Sequence, residues 1–274
     1  LIIHFKRINN MKQSNFYILF FLMLCAEVFT SCLSNDDETQ WSKFNGVYVT
    51  VSGDKLHGYE LYTDFGAILV PTTESLNQMP WLKEVQRAII SFNLVEDSES
   101  ITQLEAGKTY DIILNSTDGM NQQIPTFTVK IDTLSEEYQR NGQDSIALRN
   151  KKIHSIEKSP GTFYVKNGYM NIIPTFDYDP YRPVFFLLYY NGEKDVDIID
   201  NKLSLNLYFN NSIQSPSSSI SSFISLEMPM ELYYKFQDKG LNDNDSIDVY
   251  LNTETVTGSE QIHSKMALKD FMIP

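Results

Sequence analysis

From residue 45 to residue 134 the chain repeats one arrangement. Short runs of β-branched and aromatic residues, some alternating with polar ones, are separated by Gly, Asp or Asn. The runs at 45–52 (NGVYVTVS), 58–64 (GYELYTD), 66–70 (GAILV), 87–95 (RAIISFNLV), 108–114 (KTYDIIL) and 126–132 (TFTVKID) predict six strands. Such side chains suit a pleated, half-buried surface, and the residues between them suit turns. The stretch 74–85 (ESLNQMPWLKEV) reads as a short helix or a loop, and Pro80 argues against one continuous helix. Short strands at this spacing suit a small barrel or sandwich.

Residues 135–150 (SEEYQRNGQDSIALRN) are polar and carry one Gly, as a linker does. A second strand-rich block follows at 151–157, 162–165, 168–176, 183–190, 203–210, 220–236, 246–252 and 261–271. In Leu203–Phe209 (LSLNLYF) the leucines and Phe209 fall on one face, which predicts a half-buried strand. The run 183–190 (PVFFLLYY) is apolar throughout and predicts a central strand covered on both sides. Residues 220–236 predict two strands broken at Pro229, and the serine-rich 215–222 (SPSSSISS) a loop. The block as a whole predicts an antiparallel β-sandwich.

The front of the chain breaks this pattern. Residues 1–10 (LIIHFKRINN) precede Met11-Lys12, and Met11 is the expected start, with the first ten residues read as upstream sequence. After the positive Lys12, Phe16 to Ala26 form an apolar run of 11 residues, followed by Thr30, Ser31 and Cys32. A bilayer span needs about 20 residues, so this run matches the core of a signal peptide instead. Small residues directly before a cysteine make a bacterial lipobox, in which the Cys32 sulfur carries a diacylglyceryl thioether. Phe29 stands where Leu or Val is usual. Cleavage before Cys32 frees its amine for a further acyl chain, and several chains anchor stably where one is marginal.

The mature chain is then acidic and free of thiols. Residues 1–31 carry Lys6, Arg7 and Lys12 against Glu27, so their removal takes the net charge from −13 to −15. A chain of this charge does not bind nucleic acid through bulk electrostatics. Of its two cysteines, Cys25 leaves with the signal and Cys32 is lipidated. A disulfide, a zinc-thiolate site and a cysteine nucleophile are thereby excluded.

A lipobox, an acidic tether, a small β-domain, a polar linker containing Asp144-Ser145-Ile146 and a second β-domain opening near Ile153 together resemble the NigD-like lipoproteins of Bacteroidota. Gly168-Tyr169-Met170-Asn171-Ile172, Tyr189-Tyr190-Asn191 and 243–250 (DNDSIDVY) carry the likeness. The resemblance implies an all-β chain with an OB-like barrel at 45–134, a linker at 135–150 and an immunoglobulin-like antiparallel sandwich at 151–274. Ahead of them stand a signal peptide at 11–31 and a lipidated tether at 32–44. It brings no catalytic residues and no cofactor. Ser34, Asn35, Asp36, Asp37 and Glu38 also resemble the export tag that follows the lipidated cysteine of surface lipoproteins in that phylum. A plain solvated spacer is the alternative reading.

Candidate chemistry is sparse. His57, His154 and His263 are far apart, each near a predicted strand end, and none sits in a G-x-S-x-G or H-E-x-x-H frame. Asp177-Tyr178-Asp179 and Asp243-Asn244-Asp245 offer closely spaced oxygens but lack the Gly and closing Glu of a calcium loop, so turns are expected there and no metal. The Pro-stiffened loop 176–183 (FDYDPYRP) places Tyr178, Tyr181 and Arg182 together, a candidate surface for a sugar or peptide, or simply the edge of the sandwich. Thr133, Ser145 and Ser246, each after Asp and before an aliphatic residue, resemble O-glycosylation acceptors of Bacteroidota. The expectation is a non-enzymatic envelope protein, lipid-anchored at Cys32 in the outer membrane and facing the surface, with a glycan or protein partner. An immunity or accessory factor beside a bacteriocin, or a hydrolase using one of the histidines, are the alternatives.

Overall fold

The first five strand-like runs close on themselves. In the computed structural model, which describes residues 42–54, 56–95, 101–127, 151–190, 196–197, 199–211 and 218–274, the first elements are β1 (Lys43–Asp54), β2 (Gly58–Thr63), β3 (Ile68–Pro71), β4 (Arg87–Leu94) and β5 (Thr109–Leu114). They run in the order β1-β2-β3-β5-β4, and β4 returns to pair with β1, giving a closed five-stranded barrel. Only β3 and β5 are parallel among these pairs. β6 (Gln122–Gln123) adds beside β4. A register shift between Phe44 and Val47 lets the long β1 bend around the barrel. Val49, Leu61, Leu69, Ile90, Phe92 and Ile112 fill the interior with no solvent contact. The segment after β3 is the helix α1 (Thr73–Gln78), whose Ser75 N–H donates to the Thr72 hydroxyl at its N-cap, followed by a 3₁₀ turn (Pro80–Glu84). The break falls at Met79, before Pro80. Leu76 and Leu82 from these turns join the barrel core.

Of the predicted strand 126–132, the described part is β7 (Thr126–Phe127), which pairs in parallel with a strand of the second region rather than with the barrel. That region contains β8 (Ser155–Ile156), β9 (Tyr164–Lys166), β10 (Tyr169–Ile172), β11 (Pro174–Tyr178), β12 (Val184–Tyr189) and β13 (Val196–Asp197). It continues with β14 (Lys202–Asn211), β15 (Ser218–Ser221), β16 (Ile224–Glu227), β17 (Ser246–Thr255) and β18 (Gly258–Ala267). They form three sheets, β7-β16-β10-β9, β15-β11-β8 and β12-β14-β17-β18, with β13 also beside β14. Leu203, Leu205, Leu207 and Phe209 point into the shared core, as their alternation predicts. There Phe186 meets Phe176 edge-on at 5.1 Å and Phe209 at 5.0 Å, an aromatic centre of the kind that adds packing specificity to burial.

Four expectations for this region are corrected. The chain after Pro229 is not a strand but the helix α2 (Met230–Gln237), because Leu232, Tyr233 and Phe236 recur at helical spacing and bury one face. Part of the serine-rich 215–222 stretch is a strand, since β15 pairs with β11 from Thr175↔Ser221 to Tyr178↔Ser218. The apolar β12 is not central: among the described residues it pairs with β14 alone, and Phe185 is 50% exposed. The sheets are also not purely antiparallel, with β14 and β17 lying parallel from Lys202↔Asp248 to Leu207↔Thr253.

The barrel and the second region meet around one buried cation. Arg87, on β4, is completely buried, and each of its five N–H groups has a partner. Nη1 and Nη2 grip Asp64 at 2.6 and 2.8 Å, Nη1 also donates to Thr50 Oγ1 at 2.9 Å, Nη2 to Asn171 Oδ1 at 3.1 Å, and Nε to Ser225 Oγ at 3.3 Å. Thr50 and Asp64 belong to the barrel, whereas Asn171 and Ser225 lie on β10 and β16. Ser225 donates to Asn171 Oδ1 at 2.7 Å, and the Tyr164 hydroxyl donates to Asp64 Oδ2 at 2.7 Å. Residues 41–274 accordingly form one compact unit.

Candidate functional site

Strand register places the chemistry of the β12-β14-β17-β18 sheet. Odd-numbered residues of β17 face the core, so the even ones face outward, and the pairings Asn206↔Asn252 and Asn252↔Gln261 line up three amides across three neighbouring strands. Two residues along, Ser204, Tyr250 and His263 form the next row on one side, while Glu254 and Ser259 stand opposite each other on the other. The amide row is held from within. Asn252 Nδ2 donates to Ser204 Oγ at 3.0 Å and to the Leu205 carbonyl at 3.2 Å, and Asn252 Oδ1 accepts from Gln261 Nε2 at 2.7 Å. Tyr250 and His263 stack at 4.5 Å, and His263 Nε2 lies 2.6 Å from Asp248 Oδ1.

A depression of about 380 Å³ opens over this row, lined by Asn206, Leu207 and Tyr208 of β14, Asn252, Thr253 and Glu254 of β17, and Ser259, Glu260 and Gln261 of β18. A second hollow of about 340 Å³ lies between Ser155–Lys158, Thr175 and Ser221, and it too reaches Glu260. Glu260 Oε2 is shut away from solvent and accepts no hydrogen bond, with the Lys158 ammonium 3.2 Å away as its counter-charge.

The residues singled out from the sequence are distributed elsewhere. Tyr178 packs against the second core, while Tyr181 is 91% exposed and Arg182 is exposed in the following turn. Asp179 organises that turn, its Oδ1 accepting from the Tyr181 N–H at 2.9 Å. Asp245 does the same for Asn242 at 2.7 Å, so both acidic pairs contain the turn chemistry expected of them. Among the described residues no group of three or more His, Cys, Asp or Glu is placed to hold a metal ion. The three histidines do not meet. His57 lies 3.0 Å from Asp54, and its charge-assisted bond, with two backbone N–H groups beside it, holds the Asp54 carboxyl below its usual value. His154 lies 2.8 Å from Asp177, and His263 is in mid-strand rather than at a strand end. Each has a carboxylate partner, and none has a serine or threonine hydroxyl at hydrogen-bond distance among the described residues. Ser246 is exposed at the start of β17, while Cys32, Ser34–Glu38, Thr133 and Ser145 lie outside the described residues. Asn206, Asn252 and Gln261 were not singled out. Their signal is the outward phase of three alternating strands, but which residues stand opposite depends on register, which one strand's sequence does not specify.

No protein-family model and no curated protein matches the chain. Solved structures do. A protein from Parabacteroides distasonis named as toxin related matches with a TM-score of 0.53 at 15% identity, over 83% of this chain and 95% of that one. A protein from Bacteroides fragilis named as a lipoprotein matches with a TM-score of 0.51 at 14% identity, over 82% and 98%. A NigD-like immunity protein from Bacteroides caccae is also similar, at a TM-score of 0.45 and 14% identity over 83% and 94%. At such identities the likeness is one of fold alone, shared over most of each chain.

Proposed function

We propose that the chain is a lipid-anchored envelope protein that acts by binding rather than by catalysis. The observation that carries the anchor is Thr30-Ser31-Cys32 directly after an 11-residue apolar run. The fold likeness to a chain named as a lipoprotein supports it. The binding half rests on a sheet face of fixed, solvent-facing amides and rings, beside which the described histidines pair with carboxylates. Outer-membrane location and a surface orientation, with Ser34–Glu38 as the signal, complete the reading.

Metabolic labelling with a fatty-acid analogue tests the anchor. Label should enter the wild-type chain and be absent from Cys32→Ala. Label that persists in the variant overturns the assignment.

A further inference from the structure

We propose that the outer face of β14, β17 and β18 binds a neutral saccharide, laid over Asn206, Asn252 and Gln261. The inference rests on the binding reading above and not on the anchor. Small-ligand sites have volumes of roughly 300 to 1,000 Å³, and the depression here, about 380 Å³, falls within that range. What lines it decides the ligand. Leu207 apart, its lining residues carry amides, carboxylates, hydroxyls and a phenol ring, so a wholly apolar ligand would strip water from the polar groups and return no hydrogen bonds.

The hydrogen-bond inventory is more specific. A primary amide offers two N–H donors and a carbonyl with two lone pairs. Asn252 spends its donors on Ser204 and Leu205 and its acceptor on Gln261, so it works as a scaffold. Among the described residues Gln261 uses only its Nε2, leaving its Oε1 open, and Asn206 engages only its Oδ1, weakly at 3.4 Å, leaving its Nδ2 open. The face therefore shows an acceptor and a donor from β18 and β14, held on either side of a fixed amide. Hydroxyls that both donate and accept, spaced along one molecule, match that pattern. A saccharide supplies them.

Charge narrows the class. Glu254 lines the depression without a Lys or Arg beside it in that lining, whereas Glu260 has Lys158 as its counter-charge, so phosphate, sulfate and uronate ligands meet the repulsion of Glu254. The stacked Tyr250–His263 pair, one row away, offers a ring surface to the C–H face of a sugar. Rows two residues apart along a strand are about 6.6 Å apart, so ring and amide can touch neighbouring sugar units. All these groups sit on paired strands rather than on loops, so little ordering cost attends binding.

Isothermal titration calorimetry of the full-length chain tests this, with neutral hexasaccharides of glucose, mannose, galactose and N-acetylglucosamine, and with hexagalacturonate as the anionic probe. At least one neutral probe should bind, and hexagalacturonate more weakly. Asn206→Ala combined with Gln261→Ala should weaken that binding about tenfold or more while the melting temperature stays at the wild-type value. Tyr181→Ala should leave it unchanged. No heat from any neutral probe, tighter binding of hexagalacturonate, or binding indifferent to the double substitution overturns the proposal. Binding lost only in Tyr181→Ala keeps the binding reading and removes this site. Lipidation does not enter the measurement, so its outcome is separate from that of the labelling.

Discussion

Tyr164 and Tyr169 show how single residues couple this fold to pH. The Tyr169 phenol is buried against Glu227, and both effects outweigh the nearby Arg87, pushing its pKa from 10.0 up to about 12. Burial, with the Asp64 carboxylate that its hydroxyl bonds, pushes Tyr164 up as well. In both the folded value lies above the unfolded one, so the stabilisation is complete below about pH 10 and is lost as pH rises through the folded values. Urea midpoints should thus fall as pH rises above 10, and Tyr169→Phe should flatten that slope while leaving the neutral-pH midpoint little changed. An unaltered alkaline slope in the variant would assign the loss to other groups. None of this was legible in sequence, where Tyr169 was only part of a family pattern, because its neighbours Arg87 and Glu227 come from distant strands.

At the scale of elements, sequence and structure agree where the pattern has one face to bury. β14 alternates and is half buried as read, and Pro80 splits the segment after β3 as read. They part where a run is short and apolar on all sides, since such runs do not tell strand from helix or centre from edge. Hence β12 reads as central, while α2 reads as a strand because eight residues are too few for the helical spacing of Leu232, Tyr233 and Phe236 to stand out. The β9–β10 hairpin turns on Asn167 and Gly168, with φ of 50° and 80°, the left-handed pair that matches strand twist. A Cβ on Gly168 would stand 2.2 Å from Ile273 Cγ1 and 2.9 Å from Ile273 N. Gly168→Ala should cost about 2–4 kcal/mol, from backbone strain and overpacking together, read from urea denaturation. Adding Ile273→Ala should recover only part, because the Ile273 backbone still stands in the way. Full recovery would show that the backbone is not strained at this turn.

For the whole molecule, the question is whether two hydrophobic cores behave as two proteins. The composition reading separates them at 135–150, which lies outside the described residues, and it carries no hint of what joins them. The joint is Arg87, an ordinary strand residue in sequence, recognisable only when β4, β10 and β16 are side by side. Removing one partner of a buried ion pair typically costs about 3–5 kcal/mol, because the other is left uncompensated. Arg87→Ala should therefore lower stability by that order in urea titrations monitored by tyrosine fluorescence, and broaden one transition into two. A loss under about 1 kcal/mol with one sharp transition would mean that apolar contacts alone join the cores. The site face was beyond reading for the same reason as the joint, since both are made by register between strands far apart in the chain.

Ile273 and Pro274 belong to this joint as well. Ile273 covers the Gly168 turn, and the Pro274 carbonyl accepts from the Ser52 hydroxyl of β1 at 3.2 Å, across 222 residues of sequence. The first strand of the barrel is thus tied to a residue 222 positions further along the chain, and β1 can make this bond only after every strand of the second region has been synthesised. Nascent chains can build the barrel core as it emerges, but the joint between the two cores closes later, once β10, β16 and the segment around Ile273 are in place.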